Sequence, residues 1–253
     1  MFLKGEYNVS ILFITGTDTD VGKTVATVLL SDFLSKNGRH FVPFKPIQTG
    51  AVIHNERIAA PDSMTYGLAS DREQLNPDYL FTTPCSPHLA ARLENVQIDT
   101  DKLTQSVKKL CSSNDGIVIE GAGGLYVPLT SEGYCMIDWM EELQSPVVVV
   151  ARAGVGTINH TLLSIEAMKA RGIRIAGLLF NDLAQDSPNI IQENVEMIYK
   201  MSGVPVIGII PYQKDIQETL SDSEKIQTCY EEWDYSILEE ALPSGSKSVA
   251  REK

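Results

Sequence analysis

Residues 16–24 read GTDTDVGKT, a stretch whose glycines, lysine and hydroxyl have the spacing needed to cradle phosphate. Glycine lets the backbone come close, successive N–H groups then point at phosphate oxygens, and a helix opening at Lys23 adds its positive end. In that arrangement Lys23 reaches the β- and γ-oxygens of a nucleoside triphosphate, and the Thr24 hydroxyl binds the divalent ion that bridges them. Five residues rather than the usual four separate Gly16 from Gly22, so Thr17 stands where the commoner pattern has glycine. Residues 116–124 (GIVIEGAGG) add an apolar run that ends in Glu120 and a glycine loop. A carboxylate at the carboxyl end of a parallel strand can hold magnesium directly or through water; the plainer alternative is a turn cap. Lys45 closes another apolar run, FVPFK, before Pro46. It is either a lysine on the ligand-binding edge of a sheet or a surface lysine at a strand end. Asp62, in APDS, reads as the start of a short helix, and His88, in PCSPH, as a candidate base or a helix-start cap.

The elements that would position these groups alternate regularly. Strand-like runs fall at residues 10–15, 41–45, 116–120, 147–151, 175–180 and 206–210, nearly continuous in Val, Ile and Leu, as strands buried on both faces are. Helical patterns fall between them at 23–37, 101–111, 157–170 and 189–201, and Gly38, Gly172 and Gly203 follow three of these as helix stops. Strand–helix–strand alternation with short connections predicts an α/β fold: a doubly wound, mostly parallel sheet with helices on both faces, of the P-loop NTPase-like kind. Residues 49–96, with Pro61, Pro77, Pro84 and Pro87, are less regular. No repeat or linker divides the chain, so one P-loop α/β domain is expected over residues 1–243, with a polar tail at 244–253 expected to fray.

Composition narrows the partners. The 253 residues are 43% hydrophobic, enough for a full core, and carry a formal charge of −12. So acidic a surface disfavours nucleic acid and anionic membrane and leaves small molecules as the expected ligands. The four cysteines form no CxxC pair and sit near no histidine at metal-ligand spacing, which fits reduced thiols in a cytoplasmic protein. The N-terminal apolar run is short and leads straight into the polar phosphate loop, so it reads as a first strand rather than a signal peptide.

Taken in order, GTDTDVGKT, KPIQTG, SPH, EGAGG, VGTINH, a strand ending in FND, and IGIIP resemble the dethiobiotin synthetase family from about residue 15 to 211. The phosphate loop and EGAGG are shared with relatives of that family, whereas KPxxxG followed by SPH is more specific. The resemblance implies an ATP- and Mg²⁺-dependent ring closure in biotin synthesis. In it 7,8-diaminononanoate takes up CO₂ as a carbamate, the γ-phosphate activates the carbamate as a mixed anhydride, and the second amine closes the ureido ring. It further implies Lys45 and Lys23 as catalytic lysines, and Thr24, Asp62 and Glu120 as metal ligands. ATP would be held by Asp20, Val21, Gly22, Lys23, Thr24, Val25, Asp62, Glu120, Gly121, Ala122 and Gly123. The base would lie near Asn181, Asp182, Pro211, Tyr212 and Gln213. Thr19, Thr49 and Asn159 are implied on the substrate, Asn159 across the interface of a homodimer. Some relatives have Ser where Thr49 stands, and some use a Tyr for the substrate tail near the position of Asn194.

Two other classes can be weighed. Cobyrinate-type amidotransferases share such a loop but need a glutaminase domain with Cys and His, and after Pro211 the chain has Cys229 and no His. Partition-type regulatory ATPases place a second lysine near the start of the loop, where Thr17, Asp18, Thr19 and Asp20 stand instead.

Overall fold

A computed structural model describes residues 10–69 and 74–242; the polar tail expected at 244–253 lies outside them. The elements run β1 (Ser10–Gly16), α1 (Lys23–Lys36), β2 (Phe41–Phe44), β3 (Ile47–Gln48), β4 (Val52–His54), β5 (Arg57–Ala59), α2 (Pro61–Tyr66), β6 (Tyr79–Leu80), α3 (Pro87–Leu93) and α4 (Thr100–Cys111). They continue with β7 (Gly116–Gly124), α5 (Met136–Leu143), β8 (Val147–Arg152), α6 (Thr157–Ala170), β9 (Ile175–Asn181), α7 (Pro188–Ser202), β10 (Val206–Ile210), α8 (Ile216–Ser221), α9 (Lys225–Thr228) and α10 (Tyr235–Ala241).

The six expected strands form one parallel sheet in the order β10-β9-β8-β1-β7-β2. After β1 the chain runs out to the β2 edge, returns to β7, then crosses to β8 on the far side of β1. The direction of winding therefore reverses beside β1, and the crevice at the carboxyl ends of β1 and β7 is the natural ligand site of such a sheet. Pairing of Ile14 with Glu120 and of Gly16 with Gly124 sets Glu120 at the mouth of the phosphate loop. β2 tolerates Pro43 because it is the edge strand, and it stops one residue short of Lys45.

Alternate residues of the buried strands feed two cores. On one face Phe13, Ile119, Val149 and Phe180 pack against α4 to α7, with Trp139 edge-on to Phe13 at 5.7 Å. On the other, Leu12, Ile14, Val148 and Leu179 meet α1 and the C-terminal helices, where Phe33 contacts Tyr230 and Trp233 at 5.3 and 5.4 Å. Each such aromatic pair contributes about 0.5–1.5 kcal/mol beyond its buried area. Tyr230 also donates a hydrogen bond to Asp32 of α1.

Helix ends match their chemistry. Asp99 caps α4 by accepting from the Lys102 N–H at 3.1 Å, and Lys108 and Lys109 lie in its last turn. Gly38, Gly172 and Gly203 all take the left-handed backbone expected at helix stops. Helix α5 was not among the expected elements. Its N-cap is Cys135, an unusual residue for the role, whose N–H is held by Asp138 Oδ2 at 2.6 Å. No disulfide joins the four cysteines; Cys111 and Cys229 are buried, and burial pushes the Cys111 thiol up to about 11. No helix among the described residues is long and apolar enough to cross a membrane.

Candidate active site

The phosphate loop is held at both ends. Thr17 N–H donates to the Val150 carbonyl at 3.0 Å, tying the loop to β8, and Asn181 Nδ2 donates to the Val21 carbonyl at 3.1 Å. Gly22 has φ +92°, and a Cβ there would stand 2.0 Å from Asn181 Nδ2, so the position accepts only glycine. Asp20 also takes a left-handed conformation. Lys23, 7% exposed, arches over the loop and donates from Nζ to the Asp18 carbonyl at 2.8 Å. Burial pushes its ammonium down to about 8, the opposing pull of Glu120 being the smaller effect.

Beside the loop four side chains from four segments converge. Thr24 Oγ1 lies 3.0 Å from both Asp62 Oδ1 and Glu120 Oε1. Lys45 Nζ donates to Glu120 Oε1 at 2.8 Å and to Asp62 Oδ2. Lys45 is 8% and Glu120 1% exposed. Burial works against the charge on Lys45, but Glu120 and Asp62 together outweigh it and hold its pKa above the ordinary lysine value. Two residues that sequence reasoning missed support the cluster. Tyr66, the last residue of α2, donates to Glu120 Oε2 at 2.6 Å, and Gln48 Oε1 faces the Asp62 N–H at 3.4 Å. Only the position of Tyr66 one helical turn after Asp62 could have pointed to it.

The charges of Lys23 and Lys45 cancel those of Asp62 and Glu120. A triphosphate entering so balanced a site needs further positive charge. The donor set has the right character for it: three oxygens crowd together, and the single hydroxyl proton of Thr24 cannot fill both of its short contacts. Two carboxyl groups and a hydroxyl suit a hard divalent cation that takes its remaining ligands from phosphate and water. Among the described residues no group of three His, Cys, Asp or Glu side chains is placed to hold a metal ion.

The other expected residues spread from this centre. Val21 is fully buried and Val25 partly so. Gly121 packs where a Cβ would meet the Phe13 ring at 3.0 Å, Ala122 is half-buried, and Gly123 turns with φ +67°. Asp182, Pro211 and Tyr212 line a cleft of about 510 Å³ between β9, α7 and β10. Gln213 Oε1 accepts from Thr219 Oγ1 at 3.0 Å, and Asp182 Oδ1 accepts the N–H groups of Ala184 and Asp186. Thr49 is half-buried after β3, whereas Thr19 and Asn159, in the first turn of α6, are exposed. Asn194 ties α7 to the end of β8 by donating to the Ala153 and Gly154 carbonyls at 3.0 and 3.1 Å. His88 N–H donates to the Pro128 carbonyl at 3.2 Å.

This geometry coincides with clear kinship. A family described as an AAA domain matches residues 10–219. An ATP-dependent dethiobiotin synthetase of Halalkalibacterium halodurans is 48% identical over 234 residues, covering 92% of this chain and 97% of that protein. The chain belongs to the dethiobiotin synthetase family. Another ATP-dependent dethiobiotin synthetase, from Anoxybacillus flavithermus, is 42% identical across 79% of this chain and 90% of its own. Among solved structures, the septum site-determining protein MinD of Pyrococcus horikoshii, complexed with Mg-ADP, superposes with a TM-score of 0.55 at 18% identity, covering 88% of this chain and 93% of its own. A ParA family ATPase of Chlorobium tepidum gives 0.52 at 15%, over 92% and 98%. These two share the P-loop fold alone, whereas the two dethiobiotin synthetases share sequence along 92% and 79% of the chain.

Proposed function

We propose that this protein closes the ureido ring of dethiobiotin from 7,8-diaminononanoate, CO₂ and ATP, with Mg²⁺, as a step of biotin synthesis. One amine of the substrate adds to CO₂ and loses a proton, giving a carbamate. The carbamate oxygen attacks the γ-phosphorus and ADP leaves, which forms a carbamic–phosphoric anhydride. The second amine then attacks the anhydride carbonyl, phosphate departs, and the ring is closed. That last step is intramolecular, so proximity is built into the substrate, and the demanding task is to bring carbamate and triphosphate, both anions, together.

The observation that carries the reading is the ammonium of Lys45, held at the phosphate loop beside Thr24, Asp62 and Glu120. Backbone N–H groups of residues 20–25 and 121–123 hold the phosphates, Lys23 leaves the Asp18 carbonyl for their oxygens, and Lys45 neutralises the anions where they meet. Thr24, Asp62 and Glu120 would hold Mg²⁺, which when bound supplies positive charge at the β- and γ-phosphates. Asn181 and Asp182, with Pro211, Tyr212 and Gln213, flank the base, which the adjoining cleft has room to take. Thr19 and Thr49 face the diamine. The exposure of Asn159 agrees with a role in the site of a second copy, so the working enzyme is proposed to be a homodimer, cytoplasmic and built from one α/β domain per chain. Phosphate release from ATP, followed with diaminononanoate, bicarbonate and Mg²⁺, tests the reading. Release is expected only when the diamine is present, and diamine-independent hydrolysis would overturn it.

A further inference from the structure

Glu120 has two carboxylate oxygens, and the protein treats them differently. Oε1 faces the site, within 3.0 Å of Thr24 Oγ1 and 2.8 Å of Lys45 Nζ. Oε2 points away and accepts the Tyr66 hydroxyl at 2.6 Å. Both partners are sealed from water, Tyr66 at 4% and Glu120 at 1% exposure, so neither group has a solvent alternative to this bond. Tyr66 sits one turn after Asp62 on α2, which puts both side chains on one face of the helix. One short helix thus provides one carboxylate of the cluster and fixes the orientation of the other.

The consequence is chemical. For Glu120 to offer both oxygens to one cation, Oε2 must swing from the Tyr66 hydroxyl toward the site, which weakens a bond that has no replacement partner for the buried phenol. Ca²⁺ takes six to eight oxygens and readily uses both oxygens of one carboxylate, whereas Mg²⁺ demands a compact octahedron with single-oxygen carboxylate ligands. We propose that Tyr66 is a positioning residue that limits Glu120 to one oxygen and so sets the preference of the site for Mg²⁺ over Ca²⁺. This rests on the cation site proposed above and goes beyond it by assigning its selectivity.

The test is the affinity of a non-hydrolysable ATP analogue, measured by calorimetry with saturating Mg²⁺, saturating Ca²⁺ or chelator, for wild type and Tyr66→Phe. The substitution keeps the ring and its packing and removes only the hydroxyl. Wild type should bind the analogue more tightly with Mg²⁺ than with Ca²⁺. In Tyr66→Phe that ratio should fall on the order of 10-fold, the scale on which partners that orient metal ligands act. In turnover assays the Mg²⁺ concentration for half-maximal rate should rise, while kcat at saturating Mg²⁺ stays within about 3-fold of wild type. An unchanged ratio, or equal losses with both ions, overturns the assignment of Tyr66. A wild-type affinity indifferent to divalent ions overturns the cation site itself, so the two failures are distinguishable.

Discussion

The phosphate loop and the carboxylate cluster lie side by side and are built on opposite principles. The loop is nine consecutive residues, proposed to hold phosphate mainly through main-chain N–H groups, and its shape depends on a left-handed glycine pressed against Asn181. The cluster is made of side chains from α1, the end of β2, α2 and β7, and its shape depends on charge balance among Lys45, Asp62 and Glu120. A site made of backbone fails when conformation is denied to it. A site made of paired buried charges fails when one partner is removed and its counterpart is left uncompensated.

Three substitutions press on that division. The largest effect is expected from Lys45→Ala, which strips the ammonium from between two carboxylates. Ring closure should slow by about 10²–10³-fold or more, as when a preorganised stabilising group is lost, while analogue affinity stays within about 3-fold. If affinity falls as far as in Lys23→Ala, the two halves are not separable. Gly22→Ala works from the other side: the new Cβ meets Asn181, and φ +92° costs a further ~1–2 kcal/mol. Analogue affinity should drop on the order of 10-fold, together with stability in denaturant titrations. Unchanged affinity would mean that the loop conformation matters less than its charges. The smallest effect is expected from Tyr230→Phe, remote from both halves. Loss of the bond to Asp32 should lower unfolding free energy by about 1 kcal/mol without moving the KM of any substrate. A shifted KM there would show that the far end of α1 is felt in the loop.

The same contrast explains what could be read from sequence. The sheet was legible because its strands are apolar runs with hardly a polar interruption; Val147 to Ala151 are all 0% exposed. The phosphate loop was legible because its residues are contiguous. Strand β7 runs four residues past its expected end at Glu120, to Gly124, because its partners Ile14 and Gly16 continue the pairing. The pairs β3–β6 and β4–β5 were not legible, since two- and three-residue strands carry no period. Asp62 came from resemblance, because nothing in APDS says that its helix will lie against Glu120. Tyr66 was missed altogether: a tyrosine in a short helix looks like core until its hydroxyl is seen to end on a carboxylate. Asn194 shows the reverse, a polar residue singled out by sequence whose side-chain amide the fold binds to the neighbouring Ala153 and Gly154 carbonyls.

The aromatic packing of Phe33 against Tyr230 and Trp233 bears on how the chain is made. The face of the sheet that carries α1, and hence the helix springing from the phosphate loop, is closed by Tyr230, Trp233, Leu238 and Leu242, among the last described residues. Synthesis delivers the loop some two hundred residues before its cover. During translation the opposite face, closed by α4 to α7, can consolidate first, while the apolar flank of α1 waits in the open. The interval before the C-terminal helices emerge is therefore when the nascent chain is most exposed to wrong association, and when chaperone protection matters most.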